Sequence, residues 1–152
     1  MEQATVLGAG LAGSEAAWQL AKRGIPVRLV EMKPEKSSPA HHTPWMAELV
    51  CSNSLKADRI NSAAGLLKAE MTRLGSLLMR CARKSAVAAG GALAVDRKQF
   101  SDLATEAIRN HPNITLETAV VTEIPETPTV VATGPLTDGA LAADIEKRCG
   151  TR

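Results

Sequence analysis

Residues 4–13, ATVLGAGLAG, decide the fold. An apolar run, ATVL, meets glycines at Gly8, Gly10 and Gly13, and SEAAWQLAKRG (14–24) continues as a helical pattern that Gly24 stops. Strand, tight turn and helix in that order are the setting in which G-x-G-x-x-G carries meaning. Gly8 admits the turn, Gly10 lets a diphosphate approach the backbone, and Gly13 brings helix and strand together. The helix N-terminus adds free N–H groups and a partial positive charge. Ala9, Leu11 and Ala12 fill the turn and complete the expected cradle, and Ala17 keeps the helix–strand contact small.

Immediately downstream, PVRLVE (26–31) reads as a second strand ending on an acid. Strand, helix and strand make a βαβ unit of about thirty residues. Glu31 falls 18 residues after Gly13, close to the spacing at which a carboxylate accepts from both ribose hydroxyls and disfavours a 2′-phosphate. FAD or NAD therefore fits better than NADP.

Further out, residues 32–47 form a loop with three prolines and the pair His41–His42. From Ser62 the stripe Leu67, Met71, Leu74, Leu78 and Cys81 predicts one long amphipathic helix, with Lys68, Arg73, Arg80 and Arg83 on its outer face. ALAVD (92–96) predicts a strand, and RKQFSDLATEAIRNH (97–111) a helix ended by Pro112. ITLETAVVTEI (114–124) and TVVATG (129–134) predict strands, followed by a last helix capped at Thr137 or Asp138. Residues 32–95 thus stand as a loop and helical insertion, where an NAD domain would pass directly into further βα units. The insertion, together with Gly134 at a strand end, favours FAD. With VDRKQF (95–100) and the ATG of 132–134, the layout resembles the two-dinucleotide-binding flavoproteins, so the expected fold class is α/β, a Rossmann-like FAD-binding domain of that type.

Composition narrows the functional classes. The 152 residues hold two Trp, one Phe and no Tyr, too few rings for a base-stacking platform. Residues 56–84 carry seven Lys or Arg against two acids, a patch that reads as a solvated helix face or as a surface for a polyanion. Cys51, Cys81 and Cys149 are too widely spaced for a disulfide framework or a zinc site, and no metal is expected, His41–His42 lacking a third ligand. Without a signal peptide or an apolar run of spanning length, a cytoplasmic setting is expected.

ELVCSNSLKAD (48–58) places Cys51 after the proline-rich loop and before Ser52, Asn53 and Ser54, good helix-capping residues. A cysteine at a helix N-terminus has its thiolate stabilised, which makes Cys51 a candidate reactive thiol. The competing reading is a small buried hydrophobe. Cys81, on the apolar stripe, is expected in the core.

Taken together, VLGAGLAGSEAAWQLAKRGIPVRLVEMKP (6–34), HHTPWMAELVCSNSLKAD (41–58), NSAAGLLKAEMTRLGSLLM (61–79), GGALAVDRKQFS (90–101) and VVATGPLT (130–137) resemble the TrmFO family. These are the folate- and FAD-dependent tRNA (uracil-5-)-methyltransferases of bacteria. The related GidA flavoproteins share the first turn but lack the Cys-Ser-Asn run. The resemblance implies methylenetetrahydrofolate as one-carbon donor, FAD as mediator, NADPH as reductant, and a T-loop uridine of tRNA as acceptor at C5. It implies that Cys51 is one of two cysteines near the flavin, acting as nucleophile or base. It further implies Gly8–Gly13, Glu31, Arg97 and Gly134 as residues of the FAD site. Members of that family are roughly three times this length, a size of several domains. Residues 1–152 are therefore expected to be a truncated N-terminal FAD-binding domain, incomplete at its C-terminus. The alternative function is a catalytically inactive FAD- or dinucleotide-binding fragment.

Overall fold

The structure, a computed structural model, describes residues 2–150; the chain ending at Thr151–Arg152 lies outside them. Strand β1 (Ala4–Leu7) is buried along its whole length and is flanked by β2 (Val27–Glu31) and β7 (Thr129–Val131), both parallel to it. Strand β6 (Ile114–Thr118) pairs with the far side of β2, giving a parallel sheet of order β6-β2-β1-β7. A continuous apolar run such as β1 is what a central parallel strand, covered on both faces, requires.

Alternate residues of the strands feed the two faces. Val6, Val27 and Leu29 point to the main core, which helices α1 (Leu11–Lys22) and α4 (Arg97–Arg109) supply with Ala17, Ala21, Phe100, Ala104 and Ile108. Leu7 and Val30 point the other way, under Leu141 and Ile145 of helix α5 (Gly139–Cys149). Small residues on the inner side of α1 let that helix lie close to the sheet. Of the expected strands at 114–124 and 129–134, only the first halves pair; beyond Thr118 and Val131 the backbone leaves the ladder.

Between β2 and α4 the chain builds more than loop and helix. Strands β3 (Ser54–Ala57), β4 (Ala86–Val87) and β5 (Ala92–Val95) form an antiparallel sheet of order β3-β5-β4. The predicted long helix is two helices, α2 (Ala63–Arg73) and α3 (Leu77–Lys84), broken at Gly75, whose φ is +71°. Ser76 starts α3 by accepting from the Met79 amide, and Glu15 on α1 accepts from Ser76 Oγ at 2.7 Å and the Leu78 amide at 3.0 Å. The Lys22 ammonium donates to the Leu74 carbonyl at 2.9 Å, at the C-terminal end of α2. A carboxylate at one helix start and an ammonium at another helix end complement both dipoles, so α1 holds the break open.

The break also turns α2 away from its expected orientation. Leu67 and Leu74, read as core, are 56% and 64% exposed. Lys68, read as outward, is buried, its Nζ donating to the Ala57 and Ala64 carbonyls at 3.0 Å each. On α3 Cys81 does enter the core, but its fully buried companion is Leu77, off the predicted stripe, while Leu78 is only half-buried; burial pushes the Cys81 thiol up from its ordinary pKa.

Candidate functional site: the glycine turn and the Cys51 segment

Strand β1 ends at Leu7, and Gly8 turns the chain with φ +91°. That conformation disfavours any side chain, and a Cβ here would stand 2.7 Å from the Ala132 carbonyl at the end of β7. A Cβ on Gly13 would fall 1.8 Å from the Gly8 carbonyl oxygen, so only glycine lets α1 sit against the turn. Gly10 differs from both. It is the N-cap of α1 with an ordinary negative φ, and a Cβ added to it meets nothing within 4 Å.

The space before Gly10 is therefore open, no side chain caps α1, and the first turn carries no acid. The first intrahelical bond is Ser14 N–H to the Gly10 carbonyl, which leaves the amides of Leu11, Ala12 and Gly13 without helical acceptors. Such an N-terminus suits an anion. The Ala9 peptide, in contrast, is fully engaged. Its N–H donates to Glu31 Oε2 at 2.6 Å, and its carbonyl accepts from Ser14 Oγ at 3.0 Å and the Ala47 amide at 2.9 Å. Glu31, buried at the end of β2, also accepts the Lys33 amide on Oε1 at 3.0 Å.

Gly134 follows β7 with φ +82° and open space where its Cβ would be, while the Ala132 amide donates to the Leu7 carbonyl at 2.8 Å. Gly8–Gly13, Glu31 and Gly134 thus gather at the C-terminal ends of β1, β2 and β7, where ligands of open α/β sheets bind. The residues fit the diphosphate and ribose of a dinucleotide: an open glycine, an uncapped helix start and a carboxylate at the next strand end.

Cys51 is exposed, on the segment that leads from the loop into β3. The expected helix does not begin there; Ser54–Ala57 is a strand, so the N-terminal dipole invoked for the thiolate is absent. What fixes the thiol is an anchor on each side. Upstream, Ala47 takes a left-handed conformation, φ +51°, in which its amide reaches Ala9, and the Met46 amide donates to Thr105 Oγ1 at 3.0 Å. Downstream, Asn53 exchanges bonds with Val95 on β5, its Nδ2 donating at 3.1 Å and its carbonyl accepting at 3.0 Å. The segment thus links the glycine turn to the second sheet, a connection that no local pattern in 41–53 announces.

The remaining candidates are scattered. Arg97 opens α4 beside the second sheet, exposed, while its N-cap Asp96 accepts the Gln99 amide at 2.8 Å. His41 contacts Ser38 Oγ through Nδ1 at 2.7 Å, and no group of three His, Cys, Asp or Glu that could hold a metal occurs among the described residues. Of the basic residues at 56–84, Lys68 is buried, Arg83 pairs with Asp58 and Arg80 lies over the Trp18 ring at 4.7 Å. The Arg83 guanidinium holds the Asp58 carboxyl below the ordinary range. A groove of about 660 Å³ also runs between α1 and α2, lined by Leu11, Ala12, Leu55, Leu67, Met71 and Leu78 among others. The sequence reading misses it because it assigns Leu67 to the core.

Comparison with known proteins places this geometry in a family. The chain is 57% identical over 150 residues to the methylenetetrahydrofolate--tRNA-(uracil-5-)-methyltransferase TrmFO of Exiguobacterium sibiricum, covering 99% of this chain and 35% of that protein. It is 59% identical over 145 residues to the protein of the same name from Bacillus licheniformis, covering 95% and 33%. The chain thus spans about a third of the length of these curated relatives. Among solved structures, Aquifex aeolicus GidA superposes with a TM-score of 0.65 at 16% identity, over 82% of this chain and 20% of that one. The GidA-related protein of Thermus thermophilus superposes with a TM-score of 0.57 at 19% identity, over 99% and 69%. These two likenesses bear out the Rossmann-like α/β fold. The family described as Glucose inhibited division protein A matches residues 3–148, and the chain belongs to that family.

Proposed function

We propose that the chain forms the dinucleotide end of the FAD site, and carries one active-site thiol, of a methylenetetrahydrofolate- and FAD-dependent tRNA (uracil-5-)-methyltransferase. The observation that carries the reading is the 57% identity to a protein of that name along almost the whole chain. The open, uncapped start of α1 at Gly10 supports the cofactor. In this reading the amides of Leu11–Gly13 receive the diphosphate, Glu31 accepts from the ribose hydroxyls, and Gly134 admits the same ligand at the neighbouring strand end. In the same reading Arg97, exposed at the start of α4, approaches the flavin. FAD, when bound, supplies the reduction of the one-carbon unit drawn from methylenetetrahydrofolate, with NADPH as the source of electrons.

Cys51 serves the acceptor. Uracil C5 becomes nucleophilic when a thiolate adds at C6 or when a base takes the C5 proton, and an exposed thiol held at both flanks can do either. Of the seven basic residues at 56–84, Lys56, Arg59, Arg73 and Lys84 are exposed and make no ion pair among the described residues, so this face keeps charge that a tRNA backbone can meet. The setting is cytoplasmic, and no helix is long and apolar enough to cross a membrane among the described residues.

A second reading has its own support. The open start of α1 at Gly10 and the buried Glu31 suffice for a chain that binds the dinucleotide without turning over. One measurement tests the cradle that both readings share, and another separates them. Titration of FAD against the chain and against Gly10→Val tests the cradle: a Val side chain has room in the fold but fills the space of the diphosphate, so affinity should fall about a hundredfold with unchanged thermal stability. Equal affinity of the two proteins would sink the assignment. Methyl transfer from methylenetetrahydrofolate to tRNA by the chain itself would remove the non-catalytic reading.

A further inference from the structure

Lys33 is a buried cation that the cofactor reading does not use. Its side chain is 4% exposed, and its Nζ faces the Trp45 carbonyl at 2.5 Å, the Thr43 carbonyl at 3.3 Å and Glu48 Oε2 at 3.4 Å. Glu48 accepts the His42 amide at 3.0 Å on its other oxygen. Burial works against the charge on Glu48, yet the His42 amide, the Lys33 ammonium and Thr43 together outweigh it and hold the carboxyl below the ordinary range. An ammonium has three protons, and three acceptors from one six-residue stretch use them. Burying such a charge is costly unless its geometry is satisfied throughout. Lys33 also follows Glu31 by two residues and gives that carboxylate its backbone N–H. One residue thus joins the acid of the dinucleotide site to the segment 43–48, three residues before Cys51.

We propose that Lys33 is a positioning residue for Cys51: its ammonium gathers residues 43–48 and so fixes where the thiol stands relative to a dinucleotide at the glycine turn. The proposal rests on the reading of FAD and Cys51 given above. Loss of the clamp leaves Ala47 tied to Ala9 and Asn53 tied to β5, so the sheet and the cradle persist while Glu48, the first residue of the stretch between them, is released toward Cys51.

The test is alkylation of the 152-residue chain by iodoacetamide, resolved by peptide mass spectrometry with and without saturating FAD. Cys149, exposed at the end of α5, is the internal control, and a separate fluorescence titration reports FAD binding. In the unaltered chain, FAD should slow alkylation of Cys51 about tenfold and leave Cys149 unchanged. In Lys33→Met, FAD should still bind while the protection of Cys51 disappears, and Lys33→Arg should restore it. Full protection in a folded, FAD-bound Lys33→Met chain overturns the proposal. Should Lys33→Met lose its helical circular dichroism, Glu48→Ala carries the same test, with loss of protection supporting the clamp and retention overturning it. Unaltered chain that binds FAD with no change at Cys51 overturns the thiol–flavin reading instead, and the role of Lys33 with it.

Discussion

The glycine turn and the α2–α3 region are both built against helix α1, yet they teach opposite lessons about how sequence dictates position. At the turn, single atoms decide. A Cβ at Gly13 would stand 1.8 Å from a backbone oxygen and one at Gly8 would stand 2.7 Å from another, so the residue type follows from geometry at once. In α2 one atom is as strict, a Cβ on Gly65 falling 1.8 Å from the Arg59 carbonyl oxygen, but the break between α2 and α3 is set at longer range. The outcome depends on Gly75, Ser76 and a carboxylate that arrives from Glu15, 61 residues earlier in the chain.

The sharpest way to break this contrast is Gly13→Ala. The added methyl cannot be accommodated without moving backbone, and we expect a loss of at least about 3 kcal/mol in urea unfolding. A loss under about 1 kcal/mol would show that α1 shifts readily and that the turn is less constrained than its contacts imply. Next in size is Lys68→Ala on α2, which strips the Ala57 and Ala64 carbonyls of their buried donor. A cost of about 1–3 kcal/mol is expected from the same measurement, where an outward-facing lysine would cost almost nothing.

Acid supplies a third probe. The Glu48 carboxyl is held below its ordinary value of 4.5, so its contribution is present above that value and is lost as pH falls through the lower folded one. The protection factors of the amides in residues 42–48 (Pro44 has none), corrected for the intrinsic slowing of exchange in acid, should therefore fall at pH below the ordinary glutamate range while those of β1 and β2 persist. A simultaneous fall in all of them would make the clamp inseparable from the global fold. The smallest effect belongs to Leu67→Ser. With Leu67 more than half exposed, its replacement should shift stability by no more than about 0.5 kcal/mol, and a larger cost would return the residue to the core.

The same contrast explains what can be read from the chain. Strand β1, the turn, α1 and Glu31 are legible because apolar run, glycine spacing and acid all constrain one another within 28 residues, Ala4 to Glu31. Helix α4 falls within the predicted 97–111, while Asp96, read as the end of the preceding strand, proves to be its cap. The α2 stripe misleads because periodicity identifies an apolar face but not its partner: Leu67 lines an open groove, and Lys68 satisfies carbonyls that no propensity reveals. Strand β3 escapes notice because Ser52, Asn53 and Ser54 serve caps and bends equally well, and its pairing with β5 is a contact of long range. The setting of Cys51 is therefore half legible. Its loop is visible, but the bonds from Ala47 to Ala9 and from Asn53 to Val95 are not.

Helix α1 meets the glycine turn at one end and, through Glu15 and Lys22, the boundaries of α2 and α3 along its flank. Its length in residues is thereby fixed as firmly as its composition. A single residue inserted between Gly13 and Glu15 would rotate every later side chain by about 100° and advance it by about 1.5 Å. Glu15 would leave the start of α3 and Lys22 the end of α2, although no residue had been replaced. An insertion in the exposed stretch between β6 and β7 would disturb neither.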